Sequence, residues 1–378
     1  MKVSNILANI FRIIVGLVFI FSAFVKGVDP MGLNFKLEDY FIAYKMSFFI
    51  PMALPIAIFF IILEFVIGVS LIFGTQMFLT AWALLLTMSY FTILTLVSAI
   101  TNSVSDCGCF GDAVVLTNWE TFYKNVFLMI PTIFIFARRR KFKQIFCTKV
   151  EWIVIVTSMF FMLVMNVWCL LFEPIIDFRP WKENSDIRKK LIGEPSESNF
   201  FIEYKNPETG ELKKYLSTEI PYNDSNWVKQ NWQFVKTTEE VIKPATPPEI
   251  LKFAIIDSNG DDYMDEFINR KGASLWIISY DLKEANLNSF NTIDKIAKEA
   301  KADNINVIGI TGTSYKEVDK ILKNKKYSFN FYSSDDIVLK IILRSNPGII
   351  LINNGVIIKK WSHRCFPNNY GEVKKLIK

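Results

Sequence analysis

The chain lacks most of the residues that build metal sites, since its 378 residues include one histidine and five cysteines. Two of the cysteines, Cys107 and Cys109, lie one residue apart, with neither the histidine nor a second cysteine pair near them in sequence. A tetrahedral site needs four ligands, and the loop offers only Asp106 and Asp112 besides the two thiols. The sequence therefore predicts no metal site, and a metal held by these four groups is the least favoured alternative.

Lysine and arginine are absent from Met46 to Tyr123, which covers much of the apolar part of the chain. The stretch 138–149 is the opposite, because it has no acid and carries the cations Arg138, Arg139, Arg140, Lys141, Lys143 and Lys149. Cytoplasmic loops of membrane proteins are rich in lysine and arginine. We therefore expect 138–149 in the cytoplasm, and the cation-free loop 101–117 on the other side.

Long apolar runs predict five membrane-spanning helices, because one span needs roughly 20 mostly apolar residues. The predicted spans are 5–26, 48–73, 77–100, 118–137 and 150–172. An odd number of spans places the polar C-terminal half opposite the cytoplasmic N-terminus. We expect a multi-pass protein of a bacterial cytoplasmic membrane that contacts the lipid bilayer and no nucleic acid, with its C-terminal domain in the periplasm.

Composition divides the chain into four parts. A transmembrane domain is predicted at 1–137, and a cytoplasmic basic loop with the fifth helix at 138–173. Polar residues dominate from there on, with an extracytoplasmic linker that contains a hairpin at 174–250 and an α/β domain at 251–378. In that last domain, buried strands near 274–280 and 305–311 alternate with helices, and Asn354-Gly355 closes a terminal hairpin.

This order of elements, with Pro347 just before the hairpin, resembles the thioredoxin fold over residues 251–378. In that family the equivalent proline is cis and lies against the catalytic dithiol. Where the family has Cys-x-x-Cys, after the strand 274–280, this chain has Asp281–Asn286 without cysteine. The resemblance therefore implies a thioredoxin-like domain that does not carry out ordinary dithiol exchange from this position.

The membrane half contains further recognisable motifs. The run from Arg12 to Lys26, followed by Asp29-Pro30, and the Leu63-Glu64 pair resemble the first two helices of DoxX-type membrane proteins. The Cys-Gly-Cys-Phe-Gly loop is similar to that of the related MauE group, whose members are implied in oxidative maturation of a disulfide-rich periplasmic enzyme. The resemblance covers about 5–137 and implies a membrane α-helical bundle, with a four-helix core plus a fifth helix. The fusion to a cysteine-poor thioredoxin-like domain resembles Bacteroidetes-type membrane proteins.

Cys107 and Cys109 are the candidate catalytic residues. A disulfide needs Cα atoms about 4.4–6.8 Å apart, and residues spaced by one meet this only if the middle residue bends sharply, which Gly108 permits. Exposed, strained disulfides are the labile, oxidising ones. Redox exchange is therefore the favoured interpretation, with a structural disulfide or inert thiols as the alternative.

The remaining thiols have weaker assignments. Cys169, near the outer end of the last span, is interpreted as a packing residue, with an accessory resolving thiol as the alternative. Cys365 is interpreted as a buried small hydrophobe, although the hairpin brings it and His363 to the end of the sheet where a dithiol would lie. His363 is expected to be a polar surface residue rather than a base.

Two charges inside the spans, Arg12 and Glu64, are predicted to lie at similar depth and to pair, because an unpaired charge in the bilayer costs several kcal/mol. The pair is either a structural clamp or a site for a proton or a quinone headgroup.

These observations predict a thiol–disulfide redox protein, and the candidate enzyme activity is that of a thiol:quinone oxidoreductase. It would relay electrons from extracytoplasmic protein thiols, or a redox partner, to a membrane quinone. The alternative is a non-catalytic scaffold whose thioredoxin-like domain docks a partner protein.

Overall fold

The computed structural model describes residues 2–104, 108–193, 195–322 and 325–377. The N-terminal part of the chain is a helical bundle. Its helices are α1 (Lys2–Val28), α2 (Pro30–Ala43), α3 (Ala53–Phe73), α4 (Met77–Thr101), α5 (Asn118–Ala137) and α6 (Thr148–Leu171). Short 3-10 turns at Ser47–Met52 and Gly111–Ala113 precede α3 and α5.

Within the described residues, four helical stretches are long and apolar enough to cross a membrane: Ile6–Val28, Ser47–Phe73, Met77–Thr101 and Thr148–Leu171. They confirm four of the five predicted spans. Large apolar side chains such as Ile93 and Phe160 are exposed on the outside of these helices. Exposed apolar surface of this extent marks a region that contacts lipid or another protein.

The fifth predicted span forms helix α5, which is less apolar because its first two turns carry Glu120 and Lys124. It runs antiparallel to α4 along most of its length. Asn118 donates to the side-chain oxygen of Asn102 at one end (3.3 Å), and the rings of Phe136 and Trp82 lie 4.5 Å apart near the other. Helix α5 therefore extends through the same layer as α4.

Helices α1 and α3 are also antiparallel, and two glycines fix their register. A Cβ atom on Gly68 would lie 2.9 Å from the backbone oxygen of Gly16, so only glycine allows this approach. Small residues are typical of close helix contacts in membranes. The contact places residue 16 opposite residue 68, and each later residue of α1 opposite an earlier residue of α3.

The first helix after α6 is α7 (Ile187–Ile192). A separate antiparallel sheet of order β2-β1-β3 follows it. Its elements are β1 (Glu197–Lys205), β2 (Leu212–Leu216), α8 (Ser225–Lys229) and β3 (Gln233–Lys243). The predicted hairpin is β1–β2. The third strand was not predicted, because almost every side chain of β3 is exposed and it shows no apolar face.

The C-terminal part is a five-stranded mixed sheet of order β6-β5-β4-β7-β8 with helices around it. Strands β4, β5 and β6 are parallel, while β7 is antiparallel to β4 and β8. The elements are α9 (Met264–Asn269), β4 (Ala273–Ser279), α10 (Ser289–Ala302), β5 (Asn306–Thr311), α11 (Tyr315–Ile321), β6 (Asn330–Ser333), α12 (Asp336–Ile342), β7 (Gly348–Asn353), β8 (Val356–Ser362) and α13 (Tyr370–Ile377). The Asn346–Pro347 peptide before β7 is cis.

The C-terminal unit begins earlier in the chain than residue 251. Trp181 and Ile187, in the predicted linker, are buried in the core beneath the sheet, and the Trp181 ring lies 4.9 Å from that of Phe253. The backbone N–H of Ile187 also bonds to Gly355 in the terminal hairpin. The segment just after α6 is therefore part of this unit, which brings the unit close to the membrane half.

Candidate functional site

The loop between α4 and α5 folds down onto the C-terminal end of α1. Cys107, with Asp106, lies outside the described residues, whereas Cys109 is half-buried. The Phe110 ring packs 5.5 Å from Phe21, and the Lys124 ammonium lies 4.2 Å above it. Gly108 has a φ of +63°, a conformation that favours glycine. The distance between Cys107 and Cys109, on which the predicted disulfide depends, involves a residue outside the described part of the chain, so the disulfide stays a prediction.

A buried ion pair lies directly beneath this loop. The Lys26 ammonium is 2.6 and 2.8 Å from the two carboxylate oxygens of Glu64, and their side chains are only 6% and 3% exposed. The Ser22 hydroxyl lies 2.9 Å from both a Glu64 oxygen and the Cys109 carbonyl oxygen, so it can donate to either. One serine therefore connects the cysteine loop to the ion pair.

The predicted pair between Arg12 and Glu64 is wrong. The contact between Gly16 and Gly68 places Arg12 beside Gly74, at the opposite end of α3 from the loop, where an added Cβ on Gly74 would collide with the guanidinium. Depth counted from approximate span ends missed this register. The partner of Glu64 is Lys26, which lies at the end of the predicted span 5–26. Ser22 and Lys26 are four residues apart and share a helix face, which could have indicated a polar site there.

Above the loop is a cavity of about 480 Å³ between the bundle and the C-terminal unit. Three parts of the chain form its walls: the end of α1 with α2, the loop from Gly108 to Asp112, and the stretch Pro174–Arg179 together with α12 and Arg344. Ligand sites in proteins commonly have volumes of about 300–1,000 Å³. The cavity is therefore large enough for a small molecule or for side chains of a partner.

Arg344 joins the two halves at this cavity. Its guanidinium binds the Asp29 carboxylate through two nitrogens, with the shortest contact at 2.6 Å, and lies 3.8 Å from Asp112. Burial raises the pKa of Asp29, but the charges of Arg344 and Arg179 outweigh it and hold that pKa below its ordinary value. For Asp112, burial is the larger effect and raises the pKa, with Asp29 adding to it.

A second charge cluster holds the stretch after α6. Arg179 is 1% exposed, bonds to Asp177 at 2.7 Å, and donates to the backbone oxygen of Ile341 in the last turn of α12. Asp177 also accepts from Lys360 in β8 at 2.9 Å. Although burial opposes ionisation of Asp177, Arg179 and Lys360 lower its pKa strongly. These bonds fix one cavity wall to the C-terminal sheet.

The end of the sheet that would carry a dithiol in thioredoxins faces the bundle. Arg344, just before the cis peptide, lies 5.4 Å from the Phe35 ring of α2, and Lys340 lies 5.2 Å from the same ring. Next to it, the Asn346 amide donates to the backbone oxygen of Asp281 at 2.6 Å. This end of the sheet therefore contacts the chain's own α2.

Residues 4–138 match the model of a family described as methylamine utilisation protein MauE. The matched region is a membrane-type domain, and the family is linked in general to redox or electron-transfer processes. It contains the cysteine loop and both residues of the ion pair, and it ends before α6. No curated protein and no solved structure matches the chain. The DoxX likeness and the thioredoxin-like assignment therefore remain predictions.

Among the accessory thiols, Cys365 is exposed, so its interpretation as a buried hydrophobe is wrong; it follows the end of β8, where no element covers it. Cys169 is 3% exposed in α6, as a packing residue would be. It lines neither of the two small cavities that Cys109 lines.

His363 is half-buried, and its Nδ1 lies 2.9 Å from the Ser345 hydroxyl. Burial and the nearby charge of Arg364 lower the pKa of His363.

Proposed function

We propose that this chain is a membrane-bound thiol–disulfide redox protein in which Cys107 and Cys109 exchange with thiols of extracytoplasmic proteins. The observation that carries the proposal is the position of Cys109. It lies over the buried Lys26–Glu64 pair, and its loop neighbours Gly108 and Gly111 line the cavity of about 480 Å³. Reactive cysteines occupy partly exposed sites near positive charge, whereas inert ones are buried in apolar surroundings.

The exchange begins with the loop as a disulfide. A thiolate of the partner attacks one loop sulfur, the Cys107–Cys109 bond breaks, and a mixed disulfide forms. The second partner thiolate then displaces the loop sulfur, which leaves the partner oxidised and the loop with two thiols. Two electrons pass to the loop, and the two protons of the partner thiols end on the loop sulfurs. The Lys26–Glu64 pair, linked through the Ser22 hydroxyl to the Cys109 backbone, holds the loop in position for this exchange.

The topology that the proposal needs is supported by the charges at the two ends of the bundle. Arg12 and the basic stretch 138–149 lie at one end, while the cysteine loop and the C-terminal unit lie at the other. Basic loops stay in the cytoplasm. The proposal counts α5 as a fifth crossing because it lies in the same layer as α4. With five crossings, the loop and the C-terminal unit would share the extracytoplasmic side of a bacterial cytoplasmic membrane.

A quinone does not fit beside Glu64. The two cavities lined by both Lys26 and Glu64 measure about 30 and 40 Å³. A cavity that holds a benzene ring measures about 150 Å³. Arg12 lies at the other end of the bundle and cannot contribute. If a quinone is the electron acceptor, the larger outer cavity has the volume for its ring, next to Leu33, Phe35 and Lys36. When bound, a quinone would supply a two-electron acceptor.

The test is the redox state of extracytoplasmic protein thiols in cells that produce Cys107→Ser or Cys109→Ser. We expect both variants to shift those thiols toward the reduced form, with the variants present at normal abundance. Cys365→Ser is the matched control, because Cys365 is an exposed thiol on the proposed same side, and it should behave like the unchanged protein. If Cys107→Ser leaves the external thiols as oxidised as before, the proposal fails.

A second candidate is a scaffold without thiol chemistry. It is favoured by the lack of cysteine in Asp281–Asn286, at the end of the C-terminal sheet that contacts α2, and its partner would dock on another face of the C-terminal unit. The scaffold predicts that both cysteine variants are silent in cells, whereas removal of residues 251–378 is not. The two proposals are therefore separated by the same set of strains.

A further inference from the structure

A second cavity, of about 330 Å³, lies at the end of the bundle opposite the cysteine loop. It is formed between the first turns of α1 and the turn that joins α5 to α6. Its charged lining consists of Arg12, Arg138, Lys141 and Lys143, and no carboxylate contributes to the wall. The cavity takes no part in the proposed thiol chemistry, because it lies beside the first half of α1, whereas the cysteine loop packs on the C-terminal end of that helix.

Arg12 is the unusual member of this cluster. Its side chain is 8% exposed, and its Nε is buried without a hydrogen-bond partner among the described residues. The guanidinium lies 5.9 Å from the Phe142 ring, which is also part of the wall. A buried charge is normally paired, since burial without a partner costs several kcal/mol. Glu151, a buried acid at the start of α6, does not line the cavity, and its carboxylate accepts a hydrogen bond from the Gln76 amide at 2.6 Å.

We propose that this cavity binds a phosphate group, and that the source of the phosphate is an anionic lipid headgroup at the cytoplasmic face. Guanidinium groups bind phosphate oxygens through paired, charge-assisted hydrogen bonds, so a phosphate in this cavity would supply the counter-charge that Arg12 lacks among the described residues. Basic pockets between helices on the cytoplasmic side bind the headgroups of anionic lipids in this way. Arg138 is held nearby by its contact with the Phe134 ring at 4.9 Å, while Lys141 and Lys143 are exposed at the cavity mouth.

The experiment uses the full-length protein, purified in a neutral detergent and stripped of lipid. Its thermal stability is measured while phosphatidylglycerol, phosphatidylcholine or inorganic phosphate is added. We expect phosphatidylglycerol to raise Tm with saturation, and phosphatidylcholine to have little effect. A rise with inorganic phosphate alone, equal to that with the lipid, would keep the phosphate site but assign it to a soluble phosphate.

Arg12→Gln should weaken the apparent affinity for phosphatidylglycerol by about tenfold or more, because it removes a buried charged donor. Arg140→Gln is the matched control: it makes the same substitution at the same end of the bundle, but Arg140 is exposed and does not line the cavity. If Arg12→Gln does not fold, the exposed pair Lys141→Gln and Lys143→Gln serves instead, with an expected loss of about fivefold for each charge. Equal lipid responses in the cavity variants and in Arg140→Gln would overturn the proposal.

Discussion

Helix α1 carries a buried cation near each end, and the two differ in what surrounds them. Lys26 is enclosed with Glu64, which it contacts through both carboxylate oxygens, and Ser22 completes the group beneath the cysteine loop. Arg12, just under four turns earlier, shares a cavity with three other cations, and its Nε has no hydrogen-bond partner among the described residues. Both side chains are more than nine-tenths buried, so the difference lies in the charges that face them and not in solvent access.

This difference indicates that the two ends have different requirements. At the loop end the chain supplies its own counter-charge, which produces a fixed group that can support chemistry at Cys109 without any bound molecule. At the other end no carboxylate among the described residues lines the cavity, and in our proposal a bound phosphate supplies the counter-charge. The first arrangement suits a site where position matters, and the second suits a site that is completed by its surroundings.

The largest effect is expected from Glu64→Gln. This change leaves the Lys26 ammonium buried without its counter-charge, and removal of one partner of a buried pair costs about 3–5 kcal/mol. We expect a large loss of folded protein in thermal and denaturant unfolding of the detergent-purified chain. The double change Lys26→Met and Glu64→Leu should recover most of it, because two apolar side chains leave no charge buried.

Arg12→Gln sharpens this comparison when it is measured in the same lipid-free detergent. Because Arg12 has no acid facing it from the chain, its loss should cost far less stability than Glu64→Gln. A loss as large as that of Glu64→Gln would contradict the contrast between the two ends of α1.

An intermediate effect is expected from Arg344→Gln, which removes the bond between the C-terminal unit and Asp29. A hydrogen bond to a charged group contributes about 1.5–3 kcal/mol. We expect faster cleavage by protease in the segment that connects the two halves. Arg188→Gln is the control, since its partner Asp186 belongs to the same unit, and it should leave the cleavage rate unchanged.

The contact at Asp29 should also depend on pH. The pKa of Asp29 is lower in the folded chain than its ordinary value of 3.8, so the ionised carboxylate stabilises the fold above that value. As pH falls below 3.8 toward the lowered pKa, this contribution is lost and protease cleavage should accelerate. Asp29→Asn should abolish this acid-dependent step, and persistence of the step in Asp29→Asn would assign it to another group.

The smallest effect is expected from Asp112→Asn. The pKa of Asp112 is raised in the folded chain, so the protonated carboxyl group is the form that the fold favours. Its contribution to the stability is present below the ordinary pKa of 3.8 and is lost as pH rises through the raised pKa. The neutral amide should make the contact between the two halves slightly stronger at neutral pH. The gain should be small because the side chain is 44% exposed. A weaker contact in Asp112→Asn would show that its charge assists Arg344.

Sequence reasoning performed well where periodicity and apolar length decide the structure. It gave the four apolar spans, helix α5, and the alternating strands and helices of the C-terminal sheet, because these patterns depend on local composition. It failed at strand β3, whose apolar side chains are exposed and come in adjacent pairs instead of alternating with polar ones. It also placed the start of the C-terminal unit too late, since the burial of Trp181 is visible only once the chain has folded back.

The site shows the same limit. Glu64 was recognised as a charge that needs a partner, but the choice between Arg12 and Lys26 depends on the helix register set by Gly16 and Gly68. The bond between Asp29 and Arg344 joins residues more than three hundred positions apart, and no local pattern could pair them. Motifs identified which residues carry chemistry, while three-dimensional packing determined which of them meet.

The most direct measurement of the central claim is thiol trapping of the loop in intact cells. The chain would carry Cys147→Ser, Cys169→Ala and Cys365→Ser, so that the only thiols trapped are those of Cys107 and Cys109. After a brief pulse of dithiothreitol and its removal, we predict that the pair returns from two thiols to a disulfide within the lifetime of the protein. The same trapping in a Lys26→Met and Glu64→Leu background should show slower exchange. A pair that stays reduced after the pulse, or a disulfide that the pulse never opens, would contradict the account.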